Sequence, residues 1–370
     1  MKIKIIGTAT TKFGELWDKS LEDLLREAVD GALRNANLEP KQIEAVFVAN
    51  KAAGSYENQH HLNALVSQFF PHHPPAIRVE AACASGGLGI VTAEHALLAD
   101  QYKTVLVVGV EKMSDLSASE TTFILAGAAD NTREYGSTFP ALYALLAQSY
   151  EAKFGSQREY LSAVAVKNHR HALTNPQAQF HKEITAQQVA QSQLIADPLR
   201  LLDCSPISDG ASAVILTTKQ VSHKPQILGY GHAQDSLDLA GRSSLTTLAA
   251  TTQAVEQALK KAKIKRSQLQ VAEVHDCFTI AEILAIEDLG FFPKGQGGQA
   301  TLDGETTIGG KIVINPSGGL KACGHPVGAT GVKQIAFLAE QIQKGTYQYA
   351  LAHNVGGSGA TAVVHILGAS

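Results

Sequence analysis

The sequence runs through one pattern twice, and this repeat constrains the fold more than any other feature. The first half has a strand-like run, a small-residue loop with Cys83, a helix-like run and a strand at 104–110. The second half has a strand-like run, a glycine-rich loop with His325, a helix at 331–343 and another strand. Alternating strands and helices indicate an α/β architecture. The repeat predicts two similar halves whose loops meet at one interface, with chance similarity as the alternative.

The composition is that of a protein with a buried core. Of the 370 residues, 45% are hydrophobic and 18% are charged, which is too apolar for a disordered chain. The 31 basic and 34 acidic residues give a net charge of −3, so no nucleic-acid surface is expected. No apolar run reaches the roughly 20 residues of a membrane helix, and the few cysteines do not form a disulfide framework. We therefore expect a cytoplasmic protein with free thiols.

Residues 116–200 differ from the rest of the chain. Polar residues become more frequent, strand signals disappear, and 159–173 has helical spacing. Strand patterning returns at 211–216. We predict a largely helical insertion over the core, in a chain whose length favours two or three domains.

Cys83 lies among small residues, in the segment Ala-Ala-Cys-Ala-Ser-Gly-Gly-Leu-Gly that begins at Ala81. Small neighbours leave the sulfur accessible and let backbone amides approach a ligand. A helix follows, and the partial positive charge at its N-terminus favours the reactive thiolate. These features indicate a nucleophile, and a buried inert cysteine is the alternative.

Three further blocks carry groups suited to catalysis. His325 lies in residues 315–331 with five glycines, where a histidine can act as a base or an oxyanion donor. His275 and Cys277 belong to the block His-Asp-Cys-Phe at the end of a predicted strand, a common place for an active site. The glycine-rich segment 354–359 could supply backbone N–H groups to an oxyanion. Surface loops and hydrogen-bonded turns are the alternatives at these places.

Taken together and in this order, the blocks resemble the thiolase superfamily over nearly the whole chain. Common thiolases have Asn-Glu-Ala-Phe where this chain has His-Asp-Cys-Phe, and Cys-x-Gly where it has Asn354-Val355-Gly356. Both departures resemble the sterol-carrier-protein type thiolases and their archaeal and bacterial relatives. Further matching blocks lie at 109–114, 208–211 and 324–331.

The resemblance implies the fold and its division into domains. We expect the thiolase fold, with two similar βαβαβαββ halves in a five-layered α/β/α/β/α arrangement and a helical loop domain. The first half is expected in residues 1–220, with the loop domain inserted at 116–200. The second half is expected in residues 221–370.

The activity that the resemblance implies is Claisen condensation of an acyl-CoA with acetyl-CoA, together with the reverse thiolysis of a 3-ketoacyl-CoA. Cys83 is then the acylated nucleophile, and His325 activates it. The C-terminal cysteine of common thiolases is missing, and in this subgroup Cys277 stands in as the acid/base thiol. Cys323, two residues before His325, is the other candidate for that role.

The resemblance also assigns the groups that stabilise charge. One oxyanion hole consists of His325 with a water held by His275, and the other of the N–H groups of Cys83 and Gly356. Ser205 matches a position that contacts pantetheine. Coenzyme A thioesters are the substrates, so neither a cofactor nor a metal is expected.

Partners follow from the same resemblance. We expect a homodimer or a dimer of dimers, with a zinc-ribbon/OB-fold accessory protein and a hydroxymethylglutaryl-CoA synthase as further candidate partners. Nucleic acid and membranes are not expected. Two alternatives stay open. A decarboxylating ketoacyl-synthase relative should lack the Gly-His-Pro block, and a non-catalytic acyl-CoA-binding subunit should have lost Cys83 or His325.

Overall fold

The computed structural model describes residues 2–369, so Met1 and Ser370, the outer ends of the two predicted halves, lie outside it. The strands are β1 (Ile3–Thr10), β2 (Ala45–Ala49), β3 (Ala76–Val79), β4 (Thr104–Glu111), β5 (Leu194–Ala196), β6 (Leu199–Arg200), β7 (Gly210–Thr217), β8 (Gln226–Gln234), β9 (Val271–Glu273), β10 (Val313–Ile314), β11 (Tyr349–Gly356) and β12 (Thr361–Gly368). The helices are α1 (Leu21–Ala36), α2 (Ala53–Tyr56), α3 (Leu62–Ser67), α4 (Ser85–Leu98), α5 (Ala118–Ala126), α6 (Phe139–Phe154), α7 (Arg158–Ala172), α8 (Ala186–Gln191), α9 (Ala249–Ala262), α10 (Thr279–Asp288), α11 (Gly297–Leu302), α12 (Gly319–Cys323) and α13 (Thr330–Gln343).

The two halves have the same strand topology. In the part of the chain that the structure describes, the strand order is β3-β2-β4-β7-β1 in the first half and β10-β9-β11-β12-β8 in the second. In each half the first three of these strands are parallel neighbours, and the last two pair antiparallel. The halves join where Ile3 and Lys4 of β1 pair with Ile227 and Gln226 of β8. The predicted repeat is therefore a repeat of topology.

Hydrophobic faces stack the halves into layers. Helices α4 and α13 are buried between the two parts of the sheet, and their apolar residues share one core with the inner strand faces. Helices α1 and α3 cover the outer face of the first half, and α9 and α10 cover the outer face of the second. Helix α4 is mostly apolar because most of its surface is covered, and its exposed residues, His95 and Leu98, lie near its C-terminal end. The five-layered fold that we predicted is confirmed.

Glycines let the two central helices touch at their N-terminal ends. A Cβ atom on Gly86 of α4 would lie 2.7 Å from the backbone nitrogen of Gly331 on α13. A Cβ on Gly331 would lie 2.3 Å from the backbone nitrogen of Gly87. Larger side chains would push the helices apart. This contact brings the loop before α4, with Cys83, next to the loop before α13, with His325.

The insertion at 116–200 is mostly helical, as its spacing predicted, with α5 to α8 inside it. The predicted absence of strands is wrong at one place, because β5 and β6 form a short antiparallel hairpin. Strands of two or three residues are too short to show a period-two pattern, so the sequence carries no signal for them. None of the helices in residues 2–369 has the length and apolar character that crossing a bilayer requires.

Candidate active site

A cavity of about 140 Å³ lies where the two halves and the insertion meet. Four of the predicted site residues line it, namely Cys83, Ser205, Cys277 and His325. Apolar side chains from the insertion, including Leu125 and Phe139, form much of the remaining wall. A small, largely apolar cavity of this kind excludes water from the groups that react.

Cys83 occupies a strained turn just before α4. The preceding residue, Ala82, has a left-handed backbone with φ of 51°, a conformation that is uncommon for any residue other than glycine. The Ser85 hydroxyl braces the turn, since it accepts from the Ala81 N–H at 2.9 Å and donates to the Ala82 carbonyl at 2.6 Å. The predicted small-residue loop followed by a helix is therefore confirmed, whereas the left-handed residue and the Ser85 hydrogen bonds had not been predicted.

The protonation state of Cys83 differs from the one expected from its helix. Burial raises the pKa of the Cys83 thiol to about 11, although the Lys51 ammonium and the Gly357 N–H both lower it. Loss of water around a buried sulfur penalises the thiolate more than the helix terminus favours it. Cys83 is therefore a thiol near neutral pH, and it can act as a nucleophile only if a base takes its proton.

His325 presents a ring nitrogen that can act as a base. Its Nδ1 lies 2.7 Å from the Thr330 hydroxyl, which donates its own proton to the Pro326 carbonyl at 3.1 Å. Because a hydroxyl has one proton, Nδ1 must carry the hydrogen of the ring and donate it to Thr330. Nε2 then keeps a free lone pair. Burial lowers the pKa of His325 to about 3, so the ring stays neutral near pH 7.

His275 has the opposite tautomer, and Asn354 determines it. The Gly87 N–H donates to Asn354 Oδ1 at 3.0 Å, which orients the amide so that Nδ2 faces the other way. Nδ2 then donates to the Cys83 carbonyl at 2.9 Å and lies 3.3 Å from His275 Nδ1. An amide nitrogen only donates, so Nδ1 accepts and Nε2 of His275 carries the hydrogen. His275 therefore presents a donor where His325 presents an acceptor.

Cys83, His275 and His325 form one cluster. A sulfur or ring nitrogen from each lies within 4.8 Å of the others, and the two imidazole rings stand edge to face with centroids 5.0 Å apart. Nε2 of both histidines is buried and has no hydrogen-bond partner among residues 2–369. Buried polar atoms are normally paired, so these two atoms are available for a ligand. The same three side chains could also hold a metal ion, since thiolate and imidazole are good zinc ligands.

The two candidate second thiols lie in different places. Cys277 is buried and lines the cavity beside Cys83. Cys323 ends α12 and is buried on the far side of the His325 loop, where its sulfur accepts from Asn175 Nδ2 at 3.4 Å. Cys323 is absent from the cavity wall within the described chain. Of these two thiols, only Cys277 therefore lines the cavity; Cys204, which the sequence did not single out, lines it as well.

The remaining predicted site residues, Ser205 and Gly356, differ in whether they line the cavity. Ser205 lines the cavity, and its N–H donates to the Cys277 carbonyl at 2.9 Å. Gly356 is the last residue of β11 and lies against the Ala81 carbonyl, where a Cβ would come within 2.6 Å. Its neighbour Gly357 lines the cavity, and its N–H is among the groups that lower the pKa of the Cys83 thiol. The oxyanion role of Gly356 stays a prediction, and Gly357 is a second candidate.

Sequence reasoning missed three residues that shape the site. Thr330 and Asn354 decide the tautomers of the two histidines, and Tyr143 of α6 lines the cavity. Thr330 and Asn354 belong to the sequence blocks described above, so both could have been identified by asking which nearby residues can form hydrogen bonds with the histidines. Tyr143 lies in the insertion, where the sequence offers no motif.

Comparisons with known proteins agree with this architecture. The family description "Thiolase, N-terminal domain" matches residues 3–220, and "Thiolase C-terminal domain-like" matches residues 231–369. The chain is 42% identical to an acetyl-CoA acetyltransferase of Methanothermobacter thermautotrophicus, with 98% of both proteins covered. It is 32% identical to sterol carrier protein 2 of Gallus gallus, over 98% of this chain and 71% of that protein.

Two solved structures have the same fold. An Ltp2-ChsH2(DUF35) aldolase matches with a TM-score of 0.85 at 24% identity, covering 100% of this chain and 98% of that one. Human mitochondrial 3-ketoacyl-CoA thiolase matches with a TM-score of 0.76 at 19% identity, covering 100% of this chain and 99% of that one.

Two halves of one topology bring a thiol and two imidazoles together at the interface between them, and this architecture is that of a thiolase-type acyltransferase. The chain belongs to the thiolase family, because the two family descriptions together cover nearly all of it. The predicted similarity to archaeal thiolases and to the sterol-carrier-protein type is confirmed as well.

Proposed function

We propose that the chain condenses an acyl-CoA with acetyl-CoA, and thiolyses 3-ketoacyl-CoA in reverse, through an acyl group carried on Cys83. The observation that carries this proposal is the pair of opposite tautomers beside the thiol. His325 offers a lone pair to the Cys83 proton, and His275 offers a hydrogen to a negatively charged oxygen. An acyl transfer needs one group of each kind.

The first half-reaction acylates Cys83. The sulfur attacks the thioester carbonyl while its proton moves to His325 Nε2. The carbonyl oxygen gains negative charge, and backbone N–H groups of Cys83 and of the glycine-rich loop hold it. The carbon–sulfur bond to coenzyme A then breaks. The departing thiolate takes the Cys277 proton and leaves as free coenzyme A, so Cys277 becomes a thiolate.

The second half-reaction forms the carbon–carbon bond. The Cys277 thiolate removes a proton from the α-carbon of acetyl-CoA and returns to the thiol form. The resulting enolate oxygen accepts from His275 Nε2–H, directly or through a water. The α-carbon attacks the acyl carbonyl, and Cys83 leaves as a thiolate that recovers its proton from His325. Proton and electron counts balance with coenzyme A thioesters alone, so this reaction needs no further cofactor.

A thiolysis assay tests the activity, with acetoacetyl-CoA and coenzyme A as substrates. Mass spectrometry of the quenched enzyme then locates the acetyl group. We expect turnover, with the acetyl group on the peptide that contains Cys83. Acetylation of Cys277 or Cys323 with Cys83 unmodified would refute the assignment.

We also propose that the chain works as a homodimer. Strand β3 is the outer strand of its half of the sheet, and Ile77 on that strand is 49% exposed. A free sheet edge with an exposed apolar residue is a ready surface for a second copy. Sedimentation at micromolar concentration should give a mass near twice 39.2 kDa, or a larger multiple for a dimer of dimers. A fully active monomer would contradict this proposal.

An accessory protein is proposed for the insertion. Leu194, Ile195 and Leu201 are exposed together on or beside the β5–β6 hairpin, and one structural neighbour is named with a DUF35 component. Adding a purified zinc-ribbon/OB-fold protein or a hydroxymethylglutaryl-CoA synthase should produce a larger sedimenting species. No shift with either protein would exclude them as partners.

Unpaired thiols fit a reducing compartment, so we propose that the enzyme works in the cytoplasm, in lipid metabolism.

A further inference from the structure

Helix α7 of the insertion buries polar side chains behind the segment 275–277, on the side that faces away from the cavity. Lys167, Asn168 and His171 are each at most 4% exposed, and α7 packs there against α10 and α12. Within the described chain, none of the three lines the cavity. Burying an ammonium or an amide costs stability unless it finds partners, so these side chains need a reason to be there.

The Asn168 amide joins two buried carboxylates. Its Nδ2 donates to Asp276 Oδ2 at 2.7 Å and to Glu282 Oε2 at 2.8 Å. Its Oδ1 accepts from Lys167 Nζ at 2.5 Å. Because an ammonium only donates, Oδ1 must face Lys167, and both hydrogens of Nδ2 must then face the carboxylates. The partners of Asn168 therefore fix the orientation of its amide.

The carboxylate of Asp276 depends on neutral donors. Lys167 forms an ion pair with Glu282 Oε1 at 3.0 Å, whereas Asp276 has no ion-pair partner in residues 2–369. Two backbone N–H groups of α12 and Asn168 Nδ2 hold it instead. Burial and the nearby Glu282 raise the pKa of Asp276 to about 7. A buried carboxylate that loses one of its donors either takes up a proton or moves toward a new partner.

Asn168 is also connected to the residue that precedes the catalytic imidazole. The Val274 N–H donates to Asn315 Oδ1 at 2.7 Å, and Asn315 Nδ2 donates to Glu282 Oε2 at 2.7 Å. The same Glu282 oxygen accepts from Asn168. His275 therefore lies between two residues that are both held through one amide.

Close packing leaves the anchored carboxylate no room to shift toward α12. This helix begins at Gly319, where φ is 61°, and a Cβ there would lie 2.2 Å from Asp276 Oδ2. Any other movement of Asp276 carries the backbone of His275 and Cys277 with it, since the three residues are consecutive. A misplacement of about 1 Å at a reacting group can lower a rate about a hundredfold. What holds Asp276 therefore matters for the reaction.

We propose that Asn168 is a positioning residue of the active site, whose amide anchors Asp276 and thereby sets the directions in which His275 and Cys277 face the cavity. Asn168 acts through Asp276 and touches no reacting atom. Its expected effect on turnover rests on the proposed function, since that function makes His275 and Cys277 reacting groups. The insertion therefore helps to build the active site as well as to cover it.

Asn168→Asp and Asn168→Ala test this role, and Asn175→Ala is the matched control. The aspartate keeps the shape of the side chain and replaces both donated hydrogens with lone pairs, whereas the alanine removes the amide. Asn175 follows α7, is 5% exposed, and donates from Nδ2 to the Ser317 carbonyl at 2.8 Å, away from the segment 275–277. Each variant loses a buried amide, so each should melt at a lower temperature.

The kcat and KM for thiolysis of acetoacetyl-CoA are measured well below each melting temperature. We expect both Asn168 variants to lower kcat by roughly ten- to a hundredfold, with KM within about threefold of wild type. Asn175→Ala should keep kcat within about twofold of wild type. A lower melting temperature with unchanged kcat in both Asn168 variants would overturn the proposal. An equal fall of kcat in Asn175→Ala would overturn it too, because any buried amide of the insertion would then matter alike.

Labelling by iodoacetamide tests the anchor without turnover. Peptide mass spectrometry follows the labelling of Cys277 and Cys323 at one fixed pH. We expect the Asn168 variants to label Cys277 faster by roughly ten- to a hundredfold, the effect of one lost hydrogen bond to a charged group on local opening, and to leave Cys323 protected. Asn175→Ala, which loses its contact with the Cys323 sulfur, should do the reverse.

The two measurements distinguish failure of this inference from failure of the proposed function. If the wild-type enzyme neither turns over nor carries acetyl on Cys83, the proposed function fails, and faster labelling of Cys277 in the Asn168 variants still supports the anchor. If the wild type turns over and both Asn168 variants label Cys277 at the wild-type rate, the inference alone fails.

Discussion

Residues 275–277 present chemically different side chains on the two sides of the chain. His275 and Cys277 lie on the cavity side, within reach of Cys83. Asp276, between them, lies on the packed side, where it accepts from the backbone N–H groups of Leu320 at 2.7 Å and Lys321 at 3.2 Å. Successive side chains of an extended chain point to opposite sides. The block His-Asp-Cys-Phe thus presents an imidazole and a thiol on one side and a hydrogen-bonded structural carboxylate on the other.

The difference lies in how buried polar groups are satisfied. On the packed side, Asp276 also accepts from Asn168 Nδ2 at 2.7 Å, so its carboxylate is fully engaged. On the cavity side, Nε2 of His275 and of His325 has no partner in the described chain. Leaving such atoms unpaired costs stability, so their presence together beside a thiol marks the place where a ligand completes the bonding.

The largest expected effect on the cavity side comes from Cys83→Ser. An alcohol at its ordinary pKa is a far poorer nucleophile than a thiol, so turnover should fall by several orders of magnitude. Thiolysis of acetoacetyl-CoA measures the loss, and the melting temperature shows whether the fold is intact. A serine variant with near wild-type turnover would remove Cys83 from the nucleophile role.

Cys277→Ala should have the next largest effect, and it should separate the two half-reactions. Acetylation of Cys83 should persist, because coenzyme A can leave as a thiolate without help. Turnover should fall by about a hundred- to ten-thousandfold, the usual contribution of a positioned acid or base. Rapid quench with mass spectrometry follows the acetyl-enzyme. If turnover continues, the proton is moved by His275 or by water, and the thiol-base mechanism is wrong.

The alkylation rate of each cysteine, measured as a function of pH, compares Cys83 on the cavity side with Cys323 on the packed side in one experiment. Because burial raises the pKa of Cys83 to about 11, alkylation by iodoacetamide should rise about tenfold per pH unit between about pH 7 and about pH 10. His325, whose pKa burial lowers to about 3, stays neutral over this range and adds no inflection. Cys323 should stay unlabelled in folded protein. A plateau for Cys83 below about pH 9 would contradict the raised pKa.

Cys323→Ala should have the smallest effect, and it tests the packed side directly. The variant removes a buried sulfur and its contact with Asn175, so the melting temperature should fall by a few degrees. Turnover should stay within about threefold of wild type. If Cys323→Ala stops turnover while Cys277→Ala does not, the assignment of the two thiols is reversed.

Much of the fold was predictable because its signals are local. The apolar strand at 104–110 and the helix at 331–343 carry their pattern within a few residues, and both lie where we predicted them, as β4 and α13. The small residues around Cys83 likewise predict a tight turn before a helix. The β5–β6 hairpin and Tyr143 had no such signal. The hairpin is too short for periodicity, and Tyr143 matters only because α6 packs it against Phe278.

The sequence by itself determined the candidate reactive groups of this protein: a thiol on a small-residue turn, a histidine in a glycine-rich loop with Cys323 two residues before it, and a third thiol, Cys277, two residues after His275. Only the tertiary structure decided that Cys277 meets the cavity and that Cys323 does not. It also decided that Cys83 is held as a thiol and that the two histidines carry opposite tautomers. The reason is physical, since protonation depends on lost water and on hydrogen-bond partners. Several of these come from far along the chain, as Asn354 does for the Cys83 carbonyl.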